Sequence, residues 1–468
     1  MQYLTDHPVE KVYLQFDKPY YAAGDTIYFK AYITRGGHHR LTDLSEVLHV
    51  DLINTSGKID QSIKLQIDSG ITWGDFALPD SLPKGNYRIR AYTRWMRNTG
   101  NAYFFDKTIP VGSPKNPKIP ESLAKQPDHT NLKPDVQFFP EGGSLVAGIR
   151  SKVAVKAIGP NGLGIDVKGT ITDDDGKEVA SFTSAHLGMG DFYLSPEAGK
   201  TYTARITYPD NRQDIFSLPK PEISGITLSV DNDLLPNAMV TINANSEYFK
   251  QNRDRDYALI ICSQGMVTTV SCKLDSAIVK MNILKRKLHT GVATVRLFSP
   301  ENEPLCERLF FVQNYDQLNL DVNTSKRAYA KREKVNVAIN AANRKGSPAE
   351  GHFSVSVIDE NKVSGNNDDA ANILSYLLLT SDLKGRIEQP DYYFSDTSLM
   401  ARNNLDILML TQGYRMFEWK QVLDSAGHPL VYQPEKGIEI TGQVKSLFNK
   451  PVAQGSIALI ALKGGPVF

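Results

Sequence analysis

Apolar and polar residues alternate along most of this chain. In "EKVYLQFDKPYYAAGDTIYFKAYI", Glu10 to Ile33, the residues Val12, Leu14 and Phe16 alternate with Tyr13, Gln15 and Asp17, and Ile27, Phe29 and Ala31 alternate with Tyr28, Lys30 and Tyr32. A period of two predicts strands with one buried face. Between the runs, Asp17 offers a carboxylate to backbone N–H groups, Pro19 fixes φ, and Gly24 can take the left-handed conformation of a tight corner. The phrase returns at "TSKRAYAKREKVNVAINA", Thr324 to Ala341, with Tyr329 behind a Lys and Val335, Val337 and Ile339 on one face. Such an echo predicts a repeated module rather than one large fold.

The periodicity also divides the chain. A first unit, 8–111, closes with "GNYRIRAYTRWMRN", where Tyr87, Ile89 and Ala91 share a face. Prolines at 114, 117, 120, 127 and 134 predict an extended linker over 112–134. The second unit, 135–220, contains "GTITDDDGKEVASF", two alternating runs around a hairpin turn. The third, 221–314, has the strand-like runs "MVTINANS", "YALIICS" and "ATVRLFS". In the fourth, 315–436, the pattern changes: Ile373, Leu374, Leu377 and Leu378, then Leu399, Leu405, Leu408 and Met409, recur at helical spacing. This predicts a helical insert over 368–415 that packs on the fourth sandwich or presents a docking face. From 437 to 468 a further β module begins, too short to cover its own core, and reads as a truncated sandwich. The predicted fold class is mostly β: tandem antiparallel sandwiches with a small helical insert in the fourth.

With 53 basic and 52 acidic residues there is no global field to draw the chain to nucleic acid or to an anionic membrane. Its three cysteines, Cys262, Cys272 and Cys306, suit neither a disulfide framework nor a zinc site. No apolar run is long enough to span a bilayer as a helix.

Motifs with chemistry are weak. "EAGKT", Glu197 to Thr201, lacks the first Gly of a phosphate loop. "TDDDGKE", Thr172 to Glu178, lacks the spaced oxygens and distal Glu of a calcium loop. His38 and His39 have no third ligand nearby in sequence. Cys262 and Cys306 sit in apolar runs, as buried thiols do. No catalytic residue, cofactor or metal is therefore expected. The aromatic sets around Tyr20 to Tyr32 and at "DYYFSD", Asp391 to Asp396, are candidate sugar- or peptide-binding patches.

"YLQFDKPYYAAGDTIYFKAY" resembles the opening of a macroglobulin domain of the alpha-2-macroglobulin superfamily, in which an Asp-Lys-Pro-x-Tyr-x-x-Gly turn joins two strands. Asp17, Lys18, Pro19, Tyr21 and Gly24 match it position by position. "RAYTRWMRN", "FFPEGGSLV", "HLGMGDFYLSPEAGKTY" and "LMLTQGYRMFEW" resemble phrases of Bacteroidetes envelope proteins that carry macroglobulin-like domains, a carboxypeptidase-regulatory-like domain and often a TonB-dependent receptor plug domain. The resemblance implies that residues 437–468 open the regulatory-like sandwich and that the five corner residues are structural. The Gly-Cys-Gly-Glu-Gln thioester motif is absent, and "ICSQGM" around Cys262 does not replace it.

Three readings follow: a non-catalytic binding or scaffold region of a bacterial envelope protein, a thioester-less protease trap with bait at 112–134 or Val363 to Asn372, or an accessory to outer-membrane uptake. A protein partner in the envelope is expected, an outer-membrane transporter among the possibilities. The start of the chain lacks a secretory signal. The resemblance nevertheless implies a periplasmic or outer-membrane-associated protein, so the expectation is that Met1 replaces a removed signal.

Overall fold

The computed structural model describes residues 8–112, 133–233, 236–359, 371–413, 430–438, 443–446 and 450–452. The expected linker, most of the Val363 to Asn372 segment, residues 414–429 and most of 437–468 lie outside those residues. Strand accounts for 46% and helix for 11%, far below the helix content of an average soluble domain, so the molecule is a mostly β protein.

The first unit contains β1 (Glu10–Phe16), β2 (Tyr21–Ala22), β3 (Thr26–Arg35), β4 (Arg40–Leu41), β5 (Val47–Ile53), β6 (Ile59–Gln66), β7 (Ile71–Ala77), β8 (Gly85–Thr93) and β9 (Phe105–Gly112). One sheet runs β1-β3-β4 with β7 also on β3, and the other runs β2-β9-β8-β5-β6. Between them Val12, Leu14, Ile27 and Phe29 meet Leu48, Val50, Leu52 and Ile89. The alternation of β1 predicted one buried face, yet its second face is buried too. On that face Lys11 donates to the Leu377 carbonyl at 2.9 Å, and Tyr13 packs on Tyr376 with ring centroids 5.7 Å apart. Polar groups on that face are covered because a distant segment of the chain lies over them.

The second and third units repeat one plan, a three-stranded sheet opposite a four-stranded one. In the second, Asp135–Pro140, Ser151–Ile158 and Met189–Leu194 form the smaller sheet. In the third, Ile226–Asp231, Asn237–Ala244 and Ile278–Leu284 do so. The third unit also holds a helix that the strand pattern concealed, α1 (Ser246–Asn252), whose N-cap Asn245 accepts from the Tyr248 N–H.

Beyond residue 315 the described β-structure is one antiparallel hairpin, Asn319–Thr324 with Val337–Ala342. Among the described residues no second sheet faces it: Leu320, Val322, Val337 and Ile339 are exposed. The helical insert begins with α2 (Ile373–Ser375), continues through a π-type turn at Tyr376–Thr380, and includes α3 (Tyr392–Ser395) and α4 (Leu399–Thr411). Among the described residues it packs on the first three units, rather than on the fourth as its position in the chain suggested. Leu379, Leu383, Ile387, Tyr393, Leu408 and Met409 form one core with Ala154 and Met189 of the second unit and Val292, Leu309 and Phe311 of the third. The apolar stripe of the insert is thus satisfied by faces that the second and third sandwiches leave open together.

Candidate functional site at the helical junction

Two buried charge clusters sit where the insert meets the sandwiches. The first is built on Arg308, 1% exposed, in a strand of the third unit. Its Nε lies 2.7 Å from Glu141 of the second unit, and its Nη2 lies 2.7 Å from Asp406 of α4. Lys152 reaches the other oxygen of Asp406 at 3.2 Å, and Glu141 also accepts from the Val230 N–H at 3.2 Å. Burial works against the Arg308 charge, but Asp406 and Glu141 together outweigh it and keep the guanidinium protonated. Next to this cluster the second unit presses its backbone on the third: a Cβ on Gly142, at φ +86°, would stand 2.8 Å from Leu228 N. Only glycine allows that approach.

The second cluster is built on Asp382, fully buried, in the turn after the π-type segment. Lys11 of β1 donates to one oxygen at 2.7 Å and Gln264 of the third unit donates to the other at 2.7 Å. Lys11 also donates to the Leu377 carbonyl at 2.9 Å. One carboxylate therefore joins the first unit, the third unit and the insert. Buried charges persist only with such partners, and removing one strands the other.

Beside the first cluster a cleft of about 660 Å³ opens between the smaller sheets of the second and third units. One wall carries Arg150, Asp191 and Tyr193, the other carries Thr227, Ser229, Thr241 and Asn243, and α4 contributes Arg402 and Asn403. The Arg150 guanidinium lies 3.8 Å over the Tyr193 ring. Burial raises the Asp191 carboxyl above its ordinary value, against the pull of Lys152.

The five corner residues lie at the turn between β1 and β3, and none of them belongs to either charge cluster or to the lining of the cleft. The Tyr21 hydroxyl donates to Asp17 at 2.5 Å and accepts from the Lys18 N–H at 3.2 Å, while Lys18 Nζ lies 2.8 Å from Asp25. Burial and the bond to Asp17 push the Tyr21 phenol well up. Pro19 stands between them, and Gly24 has φ +86°. These residues make a corner.

At the other sequence motifs, Lys200 fills the turn of "TDDDGKE": its Nζ lies 2.8 Å from Asp173 and 3.2 Å from Asp175, where a cation would otherwise sit. All three cysteines are buried, and burial raises the Cys262 thiol to about 11, so it is not an activated nucleophile. His38 meets His289 of the third unit with ring centroids 3.8 Å apart. His39 beside it is pushed down to about 3 by burial and by Lys11. "DYYFSD" belongs to the insert, where Tyr392 stacks on His186.

Reading for motifs missed Arg308, Glu141, Asp382 and Lys11. The available signal was a charge inside an apolar run, as in "CERLFFV" and "EKVYL", which calls for a buried partner.

Residues 11–106 match the model of the MG2 domain, a macroglobulin domain. No curated protein sequence matches the chain. Among solved structures, the chain is similar to Escherichia coli alpha-2-macroglobulin activated by porcine elastase, at 12% identity and a TM-score of 0.24, over 71% of this chain and 33% of that one. It is also similar to dimeric latent PorU from Porphyromonas gingivalis, at 14% identity and a TM-score of 0.27, over 65% of this chain and 34% of that one. The chain thus spans about a third of the length of these proteins.

Proposed function

We propose that this chain is a non-catalytic scaffold and binding region of a larger bacterial envelope protein, placed outside the inner membrane and working with a TonB-dependent transporter of the outer membrane. The macroglobulin domain at 11–106 supports a scaffold or trap. The observation that carries the scaffold reading is the junction: Asp382 and the Arg308 cluster tie three sandwiches to one helical segment. Units fixed in this way present a constant surface, which suits binding, whereas a trap must rearrange after a cut. The units are read as 8–111, 135–220, 221–314 and 315–436, with 437–468 opening a further sandwich.

Incubation with active proteases separates the readings. A scaffold is nicked and releases the protease, with its scattering profile unchanged. Retention of active protease together with a change of shape would establish the trap. Fractionation of the native host with an antibody to residues 135–220 tests the location, and signal in the cytosol would contradict it.

A further inference from the structure

We propose that the cleft between the second and third units binds a neutral, hydroxyl-rich ligand, a short stretch of oligosaccharide. The clearest pointer is Asn232. Its Nδ2 donates to the Phe311 carbonyl at 2.8 Å, which fixes the amide, and its Oδ1 is then buried with no donor. Gln313 Oε1, also in the lining, is buried without a donor as well. Two acceptors left unsatisfied at one cleft call for a guest that donates hydrogen bonds.

The rest of the lining defines the class. Register pairs Thr227 with Asn243 and Ser229 with Thr241, so hydroxyls and an amide share the outer face of the third unit's smaller sheet. Four basic side chains stand against five acidic ones in the lining; Lys152 pairs with Asp406, and Lys285 donates to the Asn232 carbonyl. A site with so nearly balanced a charge gains little from an ionic ligand. Tyr193, 45% exposed, supplies an aromatic surface at the mouth for the C–H face of a sugar ring. A hydroxyl donates and accepts at once, which suits a wall where hydroxyls, amides and a carboxyl alternate. The volume lies in the range of small-molecule sites.

This inference rests on the reading of the chain as binding rather than catalytic. Its test is calorimetric titration and saturation-transfer NMR of the whole chain with maltohexaose, cellohexaose and mannohexaose, alongside a mixed-sequence decapeptide. At least one sugar is expected to bind, with affinity falling about tenfold in Tyr193→Ala and in Arg402→Ala, both surface changes, as the loss of one stacking or charge-assisted contact produces. Trp73→Ala, on an exposed aromatic of the first unit, should leave binding intact. Absence of binding by all three sugars, loss of binding in Trp73→Ala instead, or binding of the decapeptide alone would each overturn the proposal. A retained protease would overturn the scaffold reading while leaving a sugar titration unchanged, so the two failures are distinguishable.

Discussion

The two copies of the repeated phrase fold alike and end in opposite environments. In the first corner Lys18 N–H donates to Tyr21 at 3.2 Å, Lys18 Nζ meets Asp25, and Ala22 N–H donates to Asp25 at 3.1 Å. In the second, Lys326 N–H donates to Tyr329 at 2.9 Å, Lys326 Nζ meets Glu333, and Ala330 N–H donates to Glu333 at 2.8 Å. The flanking strands keep the same register, Val12 opposite Ile33 and Leu14 opposite Ala31, then Leu320 opposite Ala341 and Val322 opposite Ile339. Yet Val12 and Leu14 are fully buried, while Leu320 and Val322 are 56% and 61% exposed. The corner and the register are local properties written in a few residues. Burial is supplied from elsewhere, by a second sheet and, for β1, by the helical insert as well.

The comparison breaks most sharply at Lys11. Lys11→Ala leaves Asp382 buried without its cation and should cost about 3–5 kcal/mol in denaturant melts. The equivalent Asn319→Ala, on an exposed strand, should cost almost nothing. Equal effects would show that burial is not what separates the copies.

The next effect lies at the left-handed corner position. A Cβ on Gly24, at φ +86°, would stand 2.3 Å from Asp80 Oδ1, so Gly24→Val should destabilise on the order of a few kcal/mol. The second copy places Arg332 there at φ +64°, and Arg332→Gly should stabilise by about 0.5–1 kcal/mol. An unchanged melting temperature for Gly24→Val would show that the corner tolerates a side chain. Smaller again, Tyr21→Phe removes a buried hydroxyl with two partners and should cost about 1–2 kcal/mol, against a few tenths for Tyr329→Phe.

A pH effect should also belong to the first copy alone, since Ser347 stands where His39 does. His39 is held neutral, well below the usual imidazole range, by burial and by Lys11. Between the unfolded value and about 3, the unfolded chain therefore binds a proton that the folded chain does not, so stability should fall as pH drops from about 6.5 towards 3. His39→Gln should flatten that slope, and a slope unchanged in the variant would assign the effect to other groups.

The mostly β class was legible because period two runs through nearly every segment, and the insert was legible because Leu399, Leu405, Leu408 and Met409 break that period. Where the insert docks was not legible. A helical stripe states that a face will be buried but does not name the surface that buries it. The same holds for β1, whose pattern shows one apolar face, while Lys11 and Tyr13 are covered by residues more than three hundred positions away. The junction was hidden for a related reason: Arg308, Glu141 and Asp406 come from three distant segments, and each alone resembles an ordinary charge. Helix α1 was hidden by length, since its seven residues follow a long strand and show no apolar stripe of their own.

The central claim is that the insert clamps the sandwiches into one fixed arrangement. Spin labels at Trp73→Cys in the first unit and Ile215→Cys in the second, both exposed sites, report it by pulsed electron resonance, the native cysteines being buried. The account predicts a single narrow distance distribution that broadens in Asp382→Ala. A broad distribution in the otherwise unaltered chain, or a narrow one that Asp382→Ala leaves unchanged, would contradict it.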